Sequence, residues 1–224
     1  MGGFKNSSLN FYLKQGLYEI IIDGLIDCCL LMSKSCIEQS RKILNHEEKI
    51  RTHLVENYLE NDIERRKTSL SKQHLRFEVE AQENYDNKNE SYEGRVDIKV
   101  ISKDTLADRR AYYIIECKRI DGKETLNKKY ITEGVQRFIT EKYSSHYGKN
   151  IMLGFIVKDI NIKSNIQKIN SLNQNILYTY IDTDMLTVRS DSENNYAVCE
   201  SKYKVKSKLL LLNHIFYNFS SIIR

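Results

Sequence analysis

The sequence predicts an α/β fold: a mixed central β-sheet flanked by helices. Three observations carry this expectation. Residues 94–101 (GRVDIKVI) alternate strictly, with Val96, Ile98 and Val100 facing one way and Asp97 and Lys99 the other, the period of a half-buried strand. Residues 111–117 (AYYIIEC) and 151–157 (IMLGFIV) are near-continuous apolar runs, as in strands covered on both faces. A helical stretch, 124–147, lies between them, and strand, helix and strand in succession make a crossover, so the sheet is partly parallel.

The elements follow in chain order. Residues 8–44 read as one or two amphipathic helices, on which Glu19, Asp23 and Asp27 form one acidic stripe at i, i+4 and i+8. This segment is expected either to cap the same domain or to form a dimer or partner interface. A further helix covers about 43–59, where Ile43, Ile50, Leu54 and Tyr58 recur at helical spacing. Glu47 falls inside that apolar stripe, where a carboxylate needs a partner, and Glu48 lies towards its edge. Leu75 to Ala81 alternates as a strand, a polar loop covers 82–93, and the strand 94–101 follows. After a second loop and the strand 111–117, the helix 124–147 buries the side of Leu126, Tyr130, Gly134 and Phe138. Past the strand 151–157 the pattern predicts a polar helix over 160–172, a strand over 176–181, a hairpin within 184–200 and an apolar, aromatic helix over 209–223. The expected organisation is an N-terminal helical segment, 1–42, and one α/β domain, 43–224, ending in that helix.

Composition narrows the function classes. At 224 residues and 41% hydrophobic, the chain is long and apolar enough to bury a core. It has no proline and nine glycines, which excludes polyproline and collagen-like chains. Five cysteines, an odd number without a CxxC pair, argue against a disulfide framework or a zinc cluster and for the reducing cytoplasm. The most apolar stretch, Leu17 to Met32, carries three acids, so no membrane span is expected, and Met1 to Asn10 is a poor signal peptide. The net charge of +5 is concentrated. Residues 201–224 hold Lys202, Lys204, Lys206, Lys208 and Arg224 and no acid, and residues 118–150 hold eight basic residues against four acids. Two basic regions on a nearly neutral body suit a polyanion, although a solvated face has the same composition.

Asp97, Glu116 and Lys118 carry the chemistry. Glu116 and Lys118 are two apart at the end of a buried strand and point the same way. If the strands of Asp97 and Glu116 are neighbours, the two carboxylates converge. Two carboxylates completed by water and a phosphate oxygen are what Mg²⁺ binds, and a lysine beside them serves the attacking water and offsets phosphate charge.

The stretch Gly94-Arg95-Val96-Asp97-Ile98, followed by Ile114-Ile115-Glu116-Cys117-Lys118-Arg119, resembles the D…(D/E)xK signature of the PD-(D/E)XK nuclease superfamily, the restriction-endonuclease-like fold. Asp97 and Glu116 are 19 residues apart, enough for a hairpin with a loop, and Val96 stands where that signature has proline. The resemblance implies that Asp97 and Glu116 bind Mg²⁺ or Mn²⁺, that the Cys117 carbonyl is a further ligand, and that Lys118 is the catalytic lysine. It also implies a glutamate from the preceding helix, for which Glu47 is the choice and Glu48 the fallback; a helix-end acid or a salt bridge is the plainer account of Glu47.

Tyr130-Ile131-Thr132-Glu133-Gly134-Val135-Gln136-Arg137-Phe138, then Lys142-Tyr143 and Met152-Leu153-Gly154, resembles a YxxEGxxRF…KY…MxGY-like segment in a group of restriction-like bacterial nucleases. By that resemblance Arg137, Gln136 and Lys142 contact nucleic acid. The alternative is structural: Gly134 permits close helix–sheet packing and Arg137 pairs with Glu133. The tail pattern around Asn213 and His214 is similar to the same group, and His214 reads as a core histidine.

The expectation is therefore a metal-dependent nuclease acting on nucleic acid, with DNA favoured over RNA by the resemblance, the effector of a bacterial anti-phage system beside an ATPase, helicase or sensor subunit. Two alternatives stand beside it: a non-catalytic nucleic-acid-binding or assembly subunit, and a repair or recombination nuclease such as a junction resolvase, which homodimerisation would favour.

Overall fold

The computed structural model of the chain describes residues 7–102, 112–143, 147–177, 185–192 and 195–224. Seven strands form one mixed sheet in the order β1-β2-β3-β4-β7-β6-β5. The strands are β1 (Leu75–Asp86), β2 (Ser91–Ser102), β3 (Tyr112–Ile120), β4 (Lys149–Ile156), β5 (Thr187–Ser192), β6 (Tyr196–Val205) and β7 (Lys208–Asn218). β1, β2 and β3 form an antiparallel meander, and β3, β4 and β7 run parallel. The helices are α1 (Ser7–Glu38), α2 (Glu47–Leu54), α3 (Asp62–Arg65), α4 (Glu124–Tyr130), α5 (Gln136–Ile139) and α6 (Ile162–Leu177). A π-helical turn, Val55–Leu59, follows α2, and another, Ile131–Val135, joins α4 to α5. The α/β fold class expected from the sequence is the one observed.

Each face of the sheet is covered. α1 and α2 lie on one face, where Tyr18, Ile21, Leu25, Met32, Ile50 and Leu54 share a core with Ile98, Ile115, Leu153 and Ile215. α4, α5 and α6 cover the other, where Tyr130, Phe138 and Ile169 meet Val96, Ile114, Met152 and Phe216. The N-terminal segment packs on the same domain. α1 is buried on most sides rather than amphipathic, because the sheet and the short α3 region enclose it. Its acidic stripe is divided: Glu19 meets Arg189 of β5 at 3.1 Å, and Asp27 accepts the Ser69 N–H at 2.8 Å.

Several expected elements are corrected. The apolar run 209–223 is not a helix. It is β7, followed by a short 3₁₀ turn, Ser220–Ile222. A run that is apolar throughout suits a buried helix or a central strand equally, and here β4 and β6 supply partners on both edges. The helix 124–147 ends at Ile139, and its last residues form a turn as far as Tyr143; residues 144–146 lie outside those described. The expected strand 176–181 begins inside α6, which runs to Leu177, and residues 178–181 lie outside the described residues. The polar stretch 82–93 is largely strand, because β1 and β2 continue as a two-stranded ribbon to a turn at 87–90. The hairpin within 184–200 is β5 with the first half of β6. All five cysteines are free thiols and buried. Among the described residues, no helix is long and apolar enough to cross a membrane.

Candidate active site

The site opens where two strands part. β2 and β3 pair from Ile101↔Tyr112 to Ile98↔Ile115, and Asp97 and Glu116 are the next residues on either side. From Ile115 onward β3 is held by β4 instead. Past the fork, the side chain of Asp97 replaces the missing ladder bond, its Oδ2 accepting the Cys117 N–H at 2.8 Å. The fork thus turns one strand residue into a carboxylate aimed at the neighbouring strand.

Glu116 and Lys118 share one face of β3, as the two-residue period requires. Lys118 Nζ donates to Glu116 Oε1 at 2.8 Å, to the Cys117 carbonyl at 2.7 Å and to Glu47 Oε1 at 3.1 Å, and it lies 3.8 Å from Asp97 Oδ2. Glu47 stands in the first turn of α2, where the helix dipole favours an acid. Its second oxygen accepts the Arg119 N–H at 3.1 Å. Glu47 is therefore the glutamate brought to the site; Glu48 is exposed and only borders the cleft.

Arg137 reaches the same centre. Its Nη1 donates to Glu116 Oε1 at 2.7 Å, while Glu133 pairs with Lys129 at 3.8 Å, so the expected alternative of an Arg137–Glu133 pair is not what forms. The π turn beneath them brings Gly134 against the sheet. A Cβ there would stand 2.6 Å from Met152 Cε and 3.4 Å from Lys118 Cγ. Gly134 thus permits close packing on the stem of Lys118. Lys142 lines the cleft with Arg137, whereas Gln136 is not one of its lining side chains.

Four contributors were not singled out from the sequence. Arg51, only 5% exposed, donates to Asp97 Oδ1 and, at 2.7 Å, to Glu80 Oε1. Glu80 has φ 56, a left-handed conformation unusual for a residue with a side chain, and its other oxygen accepts from Arg95 Nη1 at 3.1 Å. The Tyr143 hydroxyl donates to Glu116 Oε2 at 2.9 Å and accepts from Arg137 Nη1 at 2.7 Å. Arg51 had a signal, since it lies four residues after Glu47 between two core residues, Ile50 and Leu54. Arg95 and Tyr143 stood inside the quoted motifs. Glu80 had none, because only the β1–β2 register sets it beside Asp97.

Burial and close charges perturb the groups at the centre. Glu116 is wholly buried, and that burial, aided by the Asp97 charge, pushes its carboxyl up to about 7 against the pull of Lys118 and Arg137. Burial works to lower the Lys118 ammonium, but Glu116, Asp97 and Glu47 outweigh it and hold the group above the usual lysine range. The Cys117 thiol, on the opposite face, is raised well above the thiol range by burial and stays protonated. The cleft has a volume of about 570 Å³. Five basic side chains (Arg51, Arg95, Lys118, Arg137 and Lys142) and five acidic ones (Glu47, Glu48, Glu80, Asp97 and Glu133) line it, with Glu116 buried beneath as a sixth acid.

Among the described residues, no three or more His, Cys, Asp or Glu side chains stand together as a ready metal cage. What the fork offers is a smaller set of hard oxygen donors: two carboxylates, Asp97 and Glu116, and the Cys117 carbonyl, all gathered around one cation, the Lys118 ammonium. A set of this kind fits Mg²⁺, which keeps several waters and takes few protein ligands. Family models, curated proteins and solved structures were all compared with the chain, and none matches it.

Proposed function

We propose that the chain is a metal-dependent nuclease of the PD-(D/E)XK type that hydrolyses phosphodiester bonds of nucleic acid, with DNA as the favoured substrate. The observation that carries this reading is the convergence of Asp97, Glu116, Lys118 and Glu47 at the fork between β2 and β3. Nothing in the packing of the sheet asks for a fully buried glutamate there.

In this reading Asp97, Glu116 and the Cys117 carbonyl hold Mg²⁺ or Mn²⁺. The chemistry supplied by the bound ion is polarisation of the phosphate and activation of water. Lys118, released from part of its carboxylate cage, orients the attacking water and offsets charge on the phosphate. Glu47 fixes Lys118 from the far side and anchors its backbone neighbour. Arg137 and Lys142, on the rim formed after α4, contact the phosphate, and Arg51 keeps Asp97 facing the centre. The wider role is that of the nuclease subunit of an anti-phage system, working with an ATPase, helicase or sensor partner in the cytoplasm.

The test is a cleavage assay on supercoiled, linear and single-stranded DNA and on RNA, with Mg²⁺, Mn²⁺ or EDTA. Metal-dependent cleavage by the wild type, lost in Glu116→Ala and Lys118→Ala, is the expected result. Cleavage that persists in EDTA, or in both variants, would sink the assignment. If the wild type is folded but inactive, Mn²⁺ titration of wild type against Asp97→Ala decides, because only a live site binds the ion and loses it on that change.

A further inference from the structure

We propose that the β6–β7 hairpin tip is the surface that grips the phosphate backbone of the nucleic acid and delivers it to the cleft, an inference that rests on the nuclease reading above. Without its ion the cleft supplies little of this grip. Its lining charges balance and Glu116 beneath adds an acid, so the chain's own attraction for a long polyanion comes largely from outside it.

The tip has the needed chemistry. From residue 201 to the C-terminus the chain contains no acid. β6 ends at Val205 and β7 starts at Lys208, joined by the two-residue turn Lys206–Ser207, and Lys204, Lys206 and Lys208 are all exposed. Lys208 is paired with Val205 and Lys204 with Leu209, so the lysines point to opposite faces of a narrow ribbon. Val205, beside Lys208, and Leu210 are buried in the α4–α6 core, so the ribbon offers its tip and outer face, with Lys204 and Lys206, to a row of phosphates.

The turn itself is not what folding alone selects. Lys206 has φ 54, a conformation that favours glycine or asparagine. Its side chain is 77% exposed, and what holds it is an exposed ion pair with Glu141, which stabilises little, so folding does not require a lysine there. The tip is also joined to the site. Lys206 pairs with Glu141, the next residue, Lys142, lines the cleft, and Tyr143 hydrogen-bonds Glu116. Tip, rim and reacting centre thus follow one another along the turn after α5.

The experiment measures fluorescence anisotropy of a labelled DNA duplex, and of its single strand, with the full chain in EDTA across a salt series. The proposal expects the triple variant Lys204→Ser, Lys206→Asn, Lys208→Ser to bind about tenfold or more weakly, with the slope of log K against log salt reduced by about 3 for three lost phosphate contacts. Lys206→Asn alone should melt no lower than the wild type and still bind more weakly, a combination that a purely structural lysine does not produce. Loss on either probe supports the surface, and the probe affected names the strand state. Unchanged affinity and slope in the triple variant, or no binding by the wild type, overturns it. Metal-dependent cleavage is measured in parallel. Cleavage with unchanged affinity in the variants removes the surface and leaves the nuclease. Lysine-dependent binding without cleavage, even with metal, does the reverse.

Discussion

Lys118 and Glu47 lie 71 residues apart in the chain, yet the lysine ammonium stands 3.1 Å from the glutamate Oε1. One belongs to a central strand and the other to the first turn of a helix on the far side of the cleft. Their contact closes the site across two layers of the fold. It also sets Glu47, the choice from the apolar stripe, at the centre and leaves Glu48, the fallback, on the border of the cleft.

Glu47→Gln should therefore lower cleavage by about 10- to 100-fold, the usual cost of removing a group that orients a catalytic side chain or ligand. Glu48→Gln should leave the rate within about twofold, as surface changes away from such groups have little effect. Initial rates in Mg²⁺ compare the two. Equal losses would remove Glu47 from its assigned place.

Arg51 ties Asp97 on β2 to Glu80 on β1. Its removal leaves two acids facing each other around a vacated, mostly buried volume. Arg51→Ala should destabilise the fold by about 3 kcal/mol, as expected for breaking a buried ion pair on one side. Urea unfolding measures this. Arg51→Lys should recover only part of the loss, because one ammonium does not reproduce the two-pronged contact.

Gly134 distinguishes close packing from tight packing. The atom that a Cβ would strike is Met152 Cε, the free end of a flexible side chain. Gly134→Ala should be nearly neutral, because the helix gains roughly what the displaced methyl loses, about 1 kcal/mol each. Gly134→Val should cost about 1–3 kcal/mol from overpacking and reduce cleavage by displacing Lys118. Met152→Ala in the same chain should restore part of both, and thermal melts with rates on the three variants check the series.

His214 predicts a pH dependence of stability. The ring is fully buried on β7 between the Tyr130 and Ser201 hydroxyls, and burial lowers its pKa from 6.5 to about 3. Between those values the unfolded chain takes up a proton that the folded chain refuses, so stability falls as pH drops from 6.5 towards 3. The slope approaches about 1.4 kcal/mol per pH unit for this one group. Glu116 acts oppositely. Its pKa, raised to about 7 from 4.5, makes the folded chain the stronger proton binder in that window, so stability rises as pH falls from 7 to 4.5. The two overlap, so the clean measurement is wild type minus His214→Gln in urea unfolding from pH 7 to 4. That difference should shrink as pH falls, and a constant difference would mean that the histidine titrates in the fold as it does in the unfolded chain.

Much of this was legible in the residues. Alternation marked β2, although its faces exchange at Asp97: Val96 joins the α4–α6 core, Ile98 and Val100 the α1–α2 core, beside the left-handed Glu80. Unbroken apolar runs marked β3 and β4, and the helix between them made the parallel crossover. Asp97, Glu116 and Lys118 stood out because an acid and a lysine are unexpected where a buried strand ends. The C-terminal strand reads as a helix in the sequence because an apolar, aromatic run has no period that separates helix from central strand. Its identity depends on β4 and β6, which lie distant in sequence or across a turn.

The sequence alone determined the fold class, the strands of the meander and the acids and lysine that meet at the candidate site, since these follow from local periodicity and side-chain chemistry. Only the tertiary structure decided that α1 belongs to the core, that Glu47 rather than Glu48 faces Lys118, that Arg137 bonds Glu116 rather than Glu133, and that Arg51 and Glu80 brace Asp97. Each of these depends on where β2 and β3 part and on how α2 and the α4–α5 helix approach that fork. Strand register and helix packing angle arise from burying both faces of the sheet at once, and no local stretch of chain encodes them.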